Sequence, residues 1–177
     1  MMYRFTKGLL EADSADFDYI DDFQKQTMEL HQEHNNQLLR DYMNMAPHYM
    51  LIVNDFDIPV ASMLLLPAEN VEQATSMPEL QAALSGLGLE YSDILIPTSM
   101  DVLPEHRGQN LLAQMLVGIV QYAKSLGRSH LLNFTATTQA ISDYGTTQVK
   151  NLINVGVDGP DGRPMLLVSL DDLGLML

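Results

Sequence analysis

Apolar residues recur along this chain with two different periods, and the switches between them predict its elements. The opening stretch Met2–Leu10 alternates as a strand does, with Tyr3 and Phe5 on one face. A turn follows over Glu11–Ser14, with Asp13 or Ser14 placed to cap a helix. Phe17, Ile20, Phe23, Thr27, Met28 and Leu30 then return at helical spacing, while Asp16, Asp18, Asp21 and Asp22 crowd the first turns, where the dipole favours acids. A second helix is predicted over Gln37–Met45, between the polar break His34–Asn36 and Pro47. His48–Asn54 and Ile58–Leu66 are continuous apolar runs around Asp55–Asp57, which predicts a hairpin buried on both faces.

The acidic insertion Pro67–Tyr91 holds a short predicted helix, Pro78–Leu84, ended by Gly86 and Gly88. Asp93–Val102 reads as a strand with Pro97 inside it. Proline removes a ladder donor, so a bulge or splay is expected near Ile96–Ser99. Leu111, Leu112, Met115, Leu116, Ile119, Val120 and Ala123 form the apolar stripe of a long helix that ends at Gly127. His130–Thr135 reads as a buried strand, completing a strand–helix–strand crossover. A helix over Thr138–Leu152 and a hairpin of Ile153–Val157 with Met165–Leu170, around Asp158–Gly162, complete the pattern. The order predicts one α+β domain over residues 1–177.

Chemistry concentrates between the strand and the long helix. Pro104-Glu105-His106-Arg107-Gly108-Gln109-Asn110 places a fixed cation at a helix mouth. The first amides of a helix lack intrahelical partners and carry partial positive charge, which suits an anion such as a pyrophosphate.

Charge sharpens this reading. The net charge is −14, which argues against nucleic acid. Residues 1–106 hold 18 acids against Arg4, Lys7, Lys25 and Arg40, whereas residues 107–177 balance five acids with five bases. The anion-site half is thus spared the acidity, although solubility alone also accounts for it. There is no cysteine, which excludes thiolate nucleophiles and cysteine zinc sites. No apolar run is long enough for a membrane span, and the N-terminus turns acidic too early for a signal peptide, so a cytoplasmic location is expected. The histidines form no metal pattern, and His31 with His34 has no third ligand.

Val102-Leu103-Pro104-Glu105-His106-Arg107-Gly108-Gln109 keeps the first eight positions of the acyl-CoA motif V-x-P-x-x-R-G-x-G-[IL]-[GA], and Thr137–Tyr144 keeps the Ala and Tyr of N-x-x-A-x-x-x-Y. In these motifs and in its element order the chain resembles the GCN5-related N-acetyltransferase (GNAT) superfamily, with a degenerate motif. Asn110 and Leu112 stand where the family has glycine and a small residue; of the non-glycine residues, Asn best tolerates the left-handed backbone. The resemblance implies a mixed, mostly antiparallel sheet flanked by helices, with a splayed strand before the cofactor-binding helix.

It further implies acyl transfer from acetyl-CoA or another acyl-CoA to an amine. Arg107 and the amides of Gly108, Gln109, Asn110, Leu111 and Leu112 would hold the pyrophosphate, and Val102 the pantetheine arm. Tyr144 matches the tyrosine that protonates the leaving thiolate. Asp101 is a candidate base at the end of its strand, as is Asp93 at the start. The expected acceptor is a small-molecule amine or a lysine side chain, cationic if the acidic half faces it. A homodimer is the expected assembly if the chain is not monomeric. Two alternatives stay open: a non-catalytic binding or regulatory domain, and an acyltransferase for long or carrier-bound acyl chains.

Overall fold

A computed structural model describes residues 3–27, 39–133 and 151–174. Within them β1 (Tyr3–Leu9), β2 (His48–Asn54), β3 (Pro59–Pro67) and β4 (Ile94–Val102) form an antiparallel meander. β5 (His130–Asn133) runs parallel to β4, and β6 (Ile153–Asp158) and β7 (Pro164–Ser169) complete seven strands in the order β1-β2-β3-β4-β5-β7-β6. The described helices are α1 (Ala15–Thr27), α2 (39–43), α3 (Glu72–Thr75), α4 (Pro78–Gly86), α5 (Leu111–Ser125) and α6 (Leu170–Gly174).

The expected elements form for the expected local reasons. The Ser14 hydroxyl accepts from the Phe17 amide at 3.1 Å and caps α1. Gly127, at φ 75°, closes α5 while the Arg128 amide donates back to the Ala123 carbonyl. The hairpin β2–β3 is buried along nearly its whole length, as its unbroken apolar runs require.

Helices cover both faces of that hairpin. On one, Ile20 of α1 and Leu39 of α2 pack with Tyr49, Leu51, Val53 and Leu64. On the other, Met115, Ile119 and Ala123 of α5 pack with Met50, Ile52, Met63 and Leu65. Burying a side chain of this size contributes about 2 kcal/mol, so these layers fix α5 against the sheet. Gly118 lets α5 approach closely, since a Cβ there would lie 2.9 Å from Met50 Cε.

Several expectations are corrected. Leu170 does not extend the last strand: it opens α6, where the Ser169 hydroxyl accepts from the Asp172 amide. Leu112 is half-buried and stands outside the core clusters, so the apolar stripe narrows to Leu111, Met115, Leu116, Ile119, Val120 and Ala123. The acidic insertion carries the extra turn α3 beside α4. The expected helix over 138–152 lies almost wholly outside the described residues, as does its Tyr144.

Candidate active site

The proline-bearing strand breaks its ladder twice. Ser62 pairs with Asp101 and Leu64 with Thr98, so Met63 alone faces the two residues Ser99 and Met100. This is a β-bulge, and Ser99 takes the extra turn at φ 46°. Simple alternation would put Thr98 and Asp101 on opposite faces. The bulge turns them to the same face, the one covered by α1 and α2.

The second break is on the other side. Among the described residues β4 pairs with β5 only at Ile94–His130 and Leu95–Leu131, and then Pro97 offers no amide. β5 continues to Asn133 along β7, leaving β4 without that neighbour from Ile96 onward. The expected bulge and splay are thus both present.

Beyond Val102 the chain makes a 3₁₀ turn at Pro104–His106 and enters α5 through two left-handed residues, Gly108 at φ 79° and Asn110 at φ 58°. Asn110 therefore keeps the backbone that glycine would supply. Among the described residues no side chain caps α5 and no acid occupies its first turn, so the amides of Leu111, Leu112 and Ala113 have neither an intrahelical partner nor a carboxylate of their own turn beside them. Arg107 folds back, and its Nε donates to the Val102 carbonyl at 3.3 Å. This bond holds the guanidinium beside the end of β4.

The turn is also tied to the first strand. The Tyr3 hydroxyl donates to Gln109 Oε1, and the Tyr3 hydroxyl oxygen lies 3.2 Å from Nδ1 of buried His106. A hydroxyl has one proton, so with that proton on Gln109 it accepts from His106 Nδ1–H. The rings meet edge to face. Sequence reading assigned neither Tyr3 nor the His106 side chain to the site, and no local pattern links residues this far apart.

Asp101 is mostly buried, and burial pushes its carboxyl up to about 6 against a smaller opposing pull from Arg107. Its Oδ2 is buried and has no hydrogen-bond partner among the described residues. Val102, its neighbour, turns to the opposite face and packs on the α5 core. Asp101, Val102 and Arg107 thus stand together at the end of β4, and Gly108, Gln109 and Asn110 lead from there into α5 at Leu111 and Leu112. Asp93 sits at the far end of the strand, where its carboxylate accepts from the Glu90 amide.

A bulged strand, a splay from its parallel neighbour and a left-handed turn into a long helix define the fold of the GCN5-related N-acetyltransferases, and this chain has that fold. It is similar to the acyl-homoserine lactone synthase LasI, at 13% identity and a TM-score of 0.66 over 96% of this chain and 90% of the other. It is likewise similar to MesI, a CoA-dependent acyl-homoserine lactone synthase (14%, TM-score 0.63, 98% of this chain and 92% of the other). YhbS of Escherichia coli, a GNAT family N-acetyltransferase solved in complex with CoA, matches at 11% identity with a TM-score of 0.60 over 98% of this chain and 86% of its own. No protein-family model and no curated protein matches the sequence.

Proposed function

We infer that the chain is an acyl-CoA-dependent N-acyltransferase. The observation that carries this is the continuity of the splayed β4, its bulge and the uncapped mouth of α5 within one stretch of chain. The amides from Gly108 to Leu112 hold the pyrophosphate, with Arg107 supplying charge beside them. The pantetheine arm lies along β4 where β5 departs, pairing as an added strand does. The Val102 carbonyl already accepts from Arg107, so the arm displaces that bond or uses the other β4 groups.

Asp101 is the general base. A carboxylate held near 6 is ionised at neutral pH yet basic enough to take a proton from an attacking ammonium. The amine nitrogen then bonds to the thioester carbonyl carbon, the C–S bond breaks, Tyr144 gives its proton to the departing thiolate, and the remaining surplus proton on nitrogen passes to the tyrosinate as the amide forms, while Asp101 releases its own to solvent. The bulge turns Asp101 to the face covered by α1, a helix whose four acids, Asp16, Asp18, Asp21 and Asp22, outnumber its one base, Lys25, and this net charge suits a cationic amine or a lysine side chain.

A buried carboxylate oxygen with no hydrogen-bond partner among the described residues favours the enzyme reading over a non-catalytic domain. A second reading, transfer of longer or carrier-bound acyl chains, is supported by the likeness to the two lactone synthases. Calorimetry with acetyl-CoA tests the main reading: heat of binding and a thermal shift are expected, and neither at millimolar coenzyme would overturn it. Turnover compared between acetyl and long-chain donors decides the acyl length.

A further inference from the structure

Three polar atoms near the candidate base share one property. Asp101 Oδ2, Ser62 Oγ and Gln24 Nε2 are each buried and have no hydrogen-bond partner among the described residues. Ser62 is fully buried and Gln24 is 5% exposed.

Their placement is not scattered. Ser62 and Asp101 are direct partners across β3 and β4, so their side chains stand on the same face with Cβ atoms about 5 Å apart. Gln24 lies one helical turn beyond Ile20 of α1, and Ile20 packs on Leu51, Val53 and Leu64 of that face. α1 itself lies over β3 and β4. Two polar atoms on directly opposed residues that fail to reach each other mark the span of one bridging water. Gln24, buried on the helix that covers this face, offers such a water a further donor, and two to four polar partners keep a water in a protein interior.

We propose that Ser62 and Gln24 are positioning residues that hold one internal water against Asp101 Oδ2. The water accepts from Gln24 Nε2–H, exchanges a hydrogen bond with the Ser62 hydroxyl, and donates to Asp101 Oδ2. It stabilises the ionised carboxylate from inside, while the carboxyl group takes its proton from the amine on the outside. The bond makes the buried carboxylate easier to ionise than burial alone would leave it.

Several titratable groups of the described elements on this face have partners of their own. On α1, Asp21 pairs with Lys25 at 2.5 Å and Asp16 accepts from the Tyr49 hydroxyl at 2.5 Å. On α2, Tyr42 shares a hydrogen bond with Thr98 at 3.1 Å. Arg107 is the charge that acts on Asp101 from the loop. Thr6 Oγ1 is also unpartnered in the same cross-strand row, but Leu51 stands between it and Ser62.

The role proposed for this water rests on Asp101 acting as the base, so the test avoids activity altogether. The side-chain carboxyl carbon of Asp101, assigned by its loss in Asp101→Asn, is titrated by NMR in the full chain. In Ser62→Ala and in Gln24→Met, made separately, the titration midpoint is expected to rise by about one pH unit. Thr6→Val is expected to leave it in place. A crystal structure at high resolution is expected to show one water within hydrogen-bond distance of all three atoms. Equal midpoints in folded wild type and both variants overturn the proposal, as does an equal rise in Thr6→Val or a direct Ser62–Asp101 bond. Failure to bind acetyl-CoA would strike the acyltransferase reading while leaving these readouts unaffected.

Discussion

The Tyr3 hydroxyl lies 3.2 Å from His106 Nδ1, joining the first strand to the mouth of α5 across 103 residues of chain. Tyr3→Phe keeps the ring contact and removes the oxygen, leaving a buried ring N–H unpaired. A loss of about 1–2 kcal/mol in denaturant unfolding is expected, together with weaker acyl-CoA binding by calorimetry.

Asn110 carries the left-handed backbone that opens α5. Asn110→Gly is expected to melt and to titrate acetyl-CoA as the wild type does. Asn110→Val, with a branched side chain at φ 58°, is expected to cost about 1–2 kcal/mol and to weaken the coenzyme titration.

Asp101 links activity to stability through pH. Its carboxyl stands at about 6 when folded against the usual 3.8, so the folded chain binds a proton that the unfolded chain has released. That stabilisation is whole below 3.8 and is lost as pH rises through about 6. Asp101→Asn, which cannot ionise, is therefore expected to be more stable than wild type at pH 7 by about 1–3 kcal/mol, and similar to it at pH 4. Its acyl transfer should fall sharply, and the wild-type rate should rise with pH as Asp101 ionises. Chemical unfolding at both pH values and a pH–rate profile check the two limbs.

Leu112 is half-buried at the helix mouth and apart from the core. Leu112→Ala is expected to change stability by less than about 1 kcal/mol, because no packed layer loses a member. Removing its bulk beside the anion site is expected to tighten acetyl-CoA binding, measured by calorimetry.

If the acids of α1 attract the acceptor, KM for a cationic amine rises with salt while KM for a neutral amine stays level. Equal salt dependence for the two would reduce the acidity to solubility.

Much of the architecture was readable before any coordinates. The runs His48–Asn54 and Ile58–Leu66, the caps at Ser14 and Gly127, and the stripe from Leu111 to Ala123 are local patterns, and local patterns set strands, helices and their ends. Pro97 announced the bulge and splay because a missing amide has only a few structural solutions. Asn110 was legible for the same reason, since few residues accept a positive φ.

The direction in which Asp101 points was not legible, because it depends on one extra residue in the register between β3 and β4. Leu112 fits the helical stripe by spacing, yet the layers that pack on α5 leave it out. Tyr3 with His106, and Ser62 with Asp101 and Gln24, come together only through strand pairing and helix docking, contacts of high sequence separation that leave no periodic trace. The elements, their order and the left-handed turn into α5 follow from local sequence, because propensity, capping and hydrophobic period act over a few neighbouring residues. Which carboxylate is buried, and which side chains face it, emerges with the assembled sheet, because burial and register are properties of strands already paired and covered.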